Sequence, residues 1–257
     1  MSKSSDKRIC LLRIFYRITI LFLFVVSGCR TANQTVFPQI LSGPVITPKT
    51  LGMSHNQAPI ECYTLGNGPE TILIIGAIHG NEPASKILCE MLIQYLQRNR
   101  LTLDHLKILV IPLVNPDGYY RGTRANASGI DLNRNFPTQN RTNNSVHGHK
   151  PLSEPESQIL HNLILAEKPA RICSIHQPYG CIDYDGPALK LAQTMGWYSS
   201  LPVKRIGSLP GSLGSWAGET LHIPTITLEL TAADSAITPE RLWVKYSTTL
   251  KAFLEGT

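Results

Sequence analysis

Four short runs of nearly unbroken apolar residues recur along the chain: TILIIG at 71–76, KILVIPLV at 107–114, RICSIH at 171–176 and TITLEL at 225–230. Their length and β-branched content suit strands buried on both faces. Between them the apolar spacing changes to helical. Residues 83–98 (PASKILCEMLIQYLQR) carry apolar positions three and four apart, with Pro83 acceptable in a first turn. Further helices are predicted from Ser153-Glu154-Pro155-Glu156 onward, over 187–196, over 212–222, and from Thr238-Pro239 to about residue 254. Ser153 and Glu156 have the spacing of a capping box, which by itself accounts for Glu156. Residues 115–150 are polar, rich in Asn, Gly and Arg, and long for a structureless segment, which marks a functional loop region. No internal repeat is visible. Strands alternating with helices predict an α/β domain of three layers, a mixed and mostly parallel sheet with helices on both faces. In such sheets chemistry collects at the carboxyl ends of the strands.

The amino-terminal pattern differs. A basic stretch, KRICLLRIFYR, precedes an apolar run from Ile18 to Val26, followed by Val26-Ser27-Gly28-Cys29. A run of nine residues falls far short of the ~20 that a membrane-spanning helix needs, but it suits a signal-peptide core. Small residues leading into cysteine resemble a bacterial lipobox, with Cys29 as the acylated new N-terminus; an uncleaved anchor is the alternative. Both place the domain outside the cytoplasm, tethered to a membrane. Arg30 rather than Asp after the cysteine implies, in a lipoprotein of Gram-negative type, an outer-membrane anchor facing the periplasm. The expected organisation is a leader over 1–28, a Pro- and Thr-containing tether over 29–57, and a catalytic domain over 58–257. The leader also explains the charge. Of the formal +6, +4 lies within residues 1–28 and only +2 on the remainder, so a nucleic-acid partner loses its main support. Four cysteines stay in the domain: Cys62, Cys89, Cys173 and Cys181. They read either as two bridges or as buried thiols, and the absence of C-x-x-C argues against a cysteine zinc cluster.

Polar residues follow the strands at four places. In IIGAIHGNEP, His79 and Glu82 stand three apart on a turn entering a helix, where both can converge on one point, and imidazole and carboxylate both suit zinc. Flanking Gly76 and Gly80 suggest close backbone packing. In SIHQPYG, His176 ends a strand and supplies a third ligand, since two His and one Glu with an open fourth position is a known catalytic zinc set. His147 and His149 lie in a Gly/Asn-rich loop and read as solvated. In TITLELT, Glu229 sits among apolar neighbours, a costly place for a carboxylate without a task. Beside an activated water it is a candidate general base. In NPDGYYRGTRANASGIDLNRNFP, Arg121, Arg124 and Arg134 offer guanidinium forks to a substrate carboxylate or an oxyanion.

Taken together, HGNEP, VNPDG, R-x-N-x-x-GIDLNRNFP, SEPES, SIH, PGSLGSW and TITLEL, in that order over roughly residues 55–255, resemble the zinc metallocarboxypeptidase (carboxypeptidase A-like) family. The likeness is greatest to its bacterial branch of murein peptide amidases, γ-D-glutamyl-meso-diaminopimelate peptidases. The resemblance implies that His79, Glu82 and His176 bind one zinc ion, and that Glu229 is the general base and proton shuttle. It implies that Arg124, favoured over Arg121 by the R-x-N spacing, polarises the scissile carbonyl, and that Asn133 and Arg134 hold a terminal carboxylate. A mobile tyrosine of animal relatives has no counterpart in RIGSLPGSLGSW. Two readings stand for Asp183 in CIDYD: a receiver for the distal amino group of diaminopimelate, or a turn-forming residue before Gly186. The implied function is hydrolysis of murein peptides by a monomer or weak dimer. A broader carboxypeptidase, a zinc deacylase and a non-catalytic wall-binding lipoprotein are the alternatives. Intact Glu229 argues against the last.

Overall fold

The computed structural model describes residues 46–99 and 104–256. The leader, Cys29 and most of the expected tether lie outside the described residues. Within them, no helix is long and apolar enough to cross a membrane. The elements run β1 (Lys49–Met53), β2 (Pro59–Leu65), β3 (Glu70–Ile75), α1 (Pro83–Arg98), β4 (Leu106–Ile111), α2 (Pro116–Arg121), α3 (Pro155–Glu167), β5 (Arg171–His176), β6 (Tyr179–Asp185), α4 (Leu189–Trp197), β7 (Thr225–Thr231) and α5 (Pro239–Glu255). The seven strands form one sheet in the order β1-β2-β4-β3-β5-β7-β6. The four central strands, β4, β3, β5 and β7, are parallel, and β1, β2 and β6 join through antiparallel pairings.

The central strands are the four apolar runs, each buried on both faces. One face packs Ile72, Ile74, Cys173, Ile175, Ile226 and Leu228 against α1, α4 and α5. The other packs Leu73, Ile75 and Ile172 against Leu160 and Ile164 of α3 and against Leu213 and Trp216. This is the three-layer arrangement that the alternating pattern predicts. Helix α1 buries Ala84, Leu88, Leu92 and Leu96 along one stripe at a spacing of four. Each such leucine contributes roughly 1.5–3 kcal/mol by leaving water.

Several local expectations change. β1 lies inside the stretch expected to be tether, and neither β2 nor β6 stands out from its sequence. All three are short strands with polar positions, held by pairing to neighbours rather than by a continuous apolar run. The expected helix at 212–222 is a π-helical turn over Gly214–Thr220. Ser153 does not cap α3: the N-cap is Glu154, without a side-chain capping bond. The long polar stretch keeps only α2 and a 3₁₀ turn at Leu132–Arg134. Among the described residues the four cysteines are free and buried, so the thiol reading holds for Cys62, Cys89, Cys173 and Cys181. Burial pushes the Cys62 and Cys181 thiols up to about 11, which keeps them protonated and unreactive.

The order in which the parallel strands are added reverses at β3. The crossover through α1 leads to β4 on one side, and the crossover through α3 leads to β5 on the other. The carboxyl ends of β3 and β5 therefore open a crevice at the switch of strand order, the usual place for a ligand in such a sheet.

Candidate active site

His79 and Glu82 follow β3 into that crevice, His176 is the last residue of β5, and Glu229 on β7 pairs in register with His176. Gly76 and Gly80 permit the approach. A Cβ on Gly80 would stand 2.0 Å from the Gly118 carbonyl carbon, and one on Gly76 2.7 Å from the Pro112 oxygen. His79 Nδ1 lies 2.7 Å from Glu82 Oε1, and His176 Nδ1 lies 3.0 Å from Glu82 Oε2 and 3.1 Å from His79 Nδ1. All three residues are buried, and among the described residues they form the one cluster of metal-ligating groups.

Two imidazole nitrogens and a carboxylate facing one another at this spacing suit a shared cation. A tetrahedral zinc with ligands at about 2.0–2.1 Å holds its donors roughly 3.3 Å apart. The other ring nitrogens are occupied from behind. His79 Nε2 is 3.1 Å from Asp131 Oδ1 and His176 Nε2 is 3.0 Å from Ser174 Oγ, so both Nδ1 atoms point into the cluster. Burial raises the Glu82 carboxyl, but His176 and His79 outweigh it and hold the group down at about 2. Its carboxylate is therefore ionised as a ligand must be.

Arg124 reaches this cluster and Arg121 does not. Arg124 Nε donates to Asp131 Oδ2 at 2.9 Å, and its Nη1 lies 3.4 Å from Glu82 Oε1. Arg121 is exposed on α2 and, among the described residues, donates only to the Asp117 carbonyl, at 3.1 Å. Arg134 Nη1 donates to the Asn133 carbonyl at 2.5 Å, and the Asn133 side chain accepts from the Leu213 N–H at 2.8 Å, which ties this turn to the π-helical turn. Glu229 is 6% exposed, with the Tyr179 N–H 3.4 Å from its Oε2. Burial raises its pKa, a direction that suits a group that must take up a proton. His147 and His149 stay in the surface loop, outside the cluster.

Asp183 lies on β6 rather than in a turn, two residues along the strand from Cys181, the register partner of Glu229. Its Oδ1 accepts from the Ile206 N–H at 2.8 Å. Asp185 accepts from Ser208 Oγ at 2.9 Å on the same face. Both are buried, and burial raises both, Asp185 to about 6. Among the described residues neither has a cationic partner within salt-bridge distance.

Two residues escaped the sequence reading. Asp131 joins His79 to Arg124, and its only signal was its place in IDLNRN. Asn126, 2% exposed, donates through Nδ2 to Glu154 Oε2 at 2.8 Å and Glu156 Oε2 at 3.1 Å. Its Oδ1 accepts from the Ser128 and Ile130 N–H groups. It thereby closes the loop that runs from Arg124 to Asp131. Glu156 is thus part of this brace rather than of a helix cap.

A parallel-centred sheet with a His-Glu-His cluster and a buried glutamate at its switch point defines a metallohydrolase of the carboxypeptidase type. The zinc carboxypeptidase profile matches residues 42–184, and the chain belongs to that family and is a hydrolytic enzyme. Murein peptide amidase A of Escherichia coli K12 is 37% identical over 178 residues, 62% of this chain and 71% of that protein. The murein peptide amidase A of Vibrio campbellii is 34% identical over 218 residues, 77% of this chain and 84% of the relative. Among solved structures, the murein-tripeptide amidase of Escherichia coli O157 superposes with a TM-score of 0.65 at 28% identity, covering 82% of this chain and 94% of that one. Thrombin-activatable fibrinolysis inhibitor, at 18% identity and a TM-score of 0.73 over 82% of this chain and 68% of that one, shares the fold.

Proposed function

We propose that this enzyme is a zinc-dependent hydrolase of murein peptides that cuts the γ-D-glutamyl–meso-diaminopimelate amide bond. The observation that carries the reading is the convergence of His79, Glu82 and His176 with Glu229 and Arg124 at one crevice. The likeness to murein peptide amidases supports the substrate class. His79, Glu82 and His176 would hold zinc, which when bound acidifies water and polarises an amide carbonyl. Glu229 takes a proton from the attacking water as its oxygen bonds to the amide carbon. Arg124 faces the charge that develops on the carbonyl oxygen. Glu229 then delivers the proton to the leaving amine as the C–N bond breaks. Asn133 and Arg134 receive the α-carboxylate of the departing residue, the fork geometry of the guanidinium matching a carboxylate.

Asp183 is assigned to the distal ammonium of diaminopimelate. That stereocentre is four carbon–carbon bonds from the α-carbon, about 5 Å when extended. Two strand residues separate Asp183 from the level of Glu229, about 7 Å. A buried carboxylate without a cationic partner is costly, and an arriving ammonium removes that cost. The leader adds location: export, acylation at Cys29, and an outer-membrane anchor facing the periplasm. Trimming of wall peptides in place follows from that.

A substrate panel tests the reading. L-Ala-γ-D-Glu-meso-Dap is expected to be cleaved in preference to the corresponding lysine tripeptide and to ordinary C-terminal L-amino-acid peptides, and Asp183→Ala to erase the preference. Cleavage of the ordinary peptides as fast as the murein peptide would replace this reading with a broad carboxypeptidase.

A further inference from the structure

Helix α1 begins with an unusual conflict. Its N-cap residue, Glu82, would ordinarily turn its side chain onto the first free N–H groups of the helix, but the carboxylate is committed to His79 and His176 and makes no capping bond. Pro83 at the first helical position removes one orphan donor, and the Ala84 N–H remains. That donor is met from another element: Gln177 Oε1 accepts from it at 3.1 Å. The Gln177 backbone N–H also donates to Glu82 Oε2 at 3.1 Å. In the opposite direction, Gln177 Nε2 donates to the Thr231 carbonyl at 3.1 Å and to Ser235 Oγ at 2.9 Å. Thr231 is the last residue of β7, two beyond Glu229, and is fixed from its far side by Asp234, which accepts from its N–H at 2.7 Å. Gln177 is 5% exposed. One buried amide therefore ties the helix start that carries Glu82 to the strand end that carries Glu229, and it directly follows His176.

We propose that Gln177 is a positioning residue of the metal centre, a surrogate cap that frees the Glu82 carboxylate for the ion and fixes it relative to β7. The inference rests on His79, Glu82 and His176 being the zinc ligands. It predicts that losing Gln177 lowers zinc affinity in addition to the modest cost in folding of an uncapped Ala84 N–H. Methionine matches the size of glutamine without its amide, so Gln177→Met leaves no cavity. Ser235→Ala, at an exposed position, removes a single anchor of that amide.

The test is zinc affinity of the full chain by competition with a chromophoric chelator, alongside melting of the zinc-free protein. Gln177→Met is expected to weaken zinc binding about tenfold, the lower end for groups behind metal ligands and about 1.4 kcal/mol. Ser235→Ala is expected to weaken it by roughly two- to threefold through the lost anchor. The zinc-free melting temperature of Gln177→Met should fall by several degrees because the Ala84 N–H is orphaned, whereas that of Ser235→Ala should stay near the parent, so a loss of zinc affinity in Ser235→Ala reports positioning alone. Unchanged affinity in both variants would overturn the proposal, and if Gln177→Met fails to fold, unchanged affinity in Ser235→Ala alone would do so. Parent protein that binds no zinc would instead refute the ligand assignment beneath it.

Discussion

Asp131 is where the ligand cluster and the arginine loop meet, so its removal separates two effects that a ligand mutation would merge. In Asp131→Ala, His79 Nε2 loses its partner at 3.1 Å, Arg124 Nε loses its partner at 2.9 Å, and the Asn133 N–H loses the acceptor that caps the 3₁₀ turn, also at 2.9 Å. The Arg124 pair contributes little to stability, because that side chain is 44% exposed and such pairs are worth about 0–1 kcal/mol. The lost cap costs about 1 kcal/mol. The larger effect is on the metal: unorienting a ligand histidine typically weakens binding 10–100-fold, or roughly 1.4–2.8 kcal/mol. Asp131→Asn sharpens the test. It keeps an oxygen for His79 and for the Asn133 N–H but turns an amide toward Arg124, so zinc affinity should fall less than in alanine while turnover still drops. Chelator competition gives the first quantity and peptide hydrolysis the second. Zinc affinity of Asp131→Ala within twofold of the parent, with the fold intact, would refute the role assigned to this carboxylate.

Asn126→Ala should leave Glu154 and Glu156 without their shared donor and cost about 3–6 kcal/mol, since the two bonds to charged groups are worth roughly 1.5–3 kcal/mol each. Thermal scanning should show a fall of several degrees, and kinetics a larger loss in kcat than in KM as Arg124 loosens; an unchanged melting temperature would contradict the brace. Asp185 sits at about 6 in the folded chain against an ordinary 3.8, so its contribution to stability is full below pH 4 and is lost as pH rises through 6. Asp185→Asn should therefore be neutral near pH 4 and stabilising by up to about 3 kcal/mol at pH 8, read by denaturant melts at both values. Cys29→Ser should abolish incorporation of labelled palmitate in a bacterial host, and retained label would remove the lipid anchor from the account.

The central strands were legible because they are buried on both faces and spell continuous apolar runs. β1, β2 and β6 were not, because their stability comes from pairing with neighbours and their residues alternate or are polar. His79, Glu82, His176 and Glu229 could be placed together because each follows a legible strand or lies near its carboxyl end. Asp131, Asn126 and Gln177 act through partners 52, 28–30 and 54–95 residues away, and such bonds leave no local pattern. The capping-box reading of Ser153 and Glu156 failed for the same reason: the glutamate is taken by Asn126 and by the His55 N–H, across 101 residues of chain.

The most direct measurement mixes the zinc-loaded enzyme with L-Ala-γ-D-Glu-meso-Dap and follows free diaminopimelate by mass spectrometry, beside chelator-treated enzyme and Glu229→Gln. Release by the parent alone, restored to the chelated sample when zinc is returned, is the expected result. Equal release from Glu229→Gln, or release that survives removal of the metal, would contradict the mechanism at its centre.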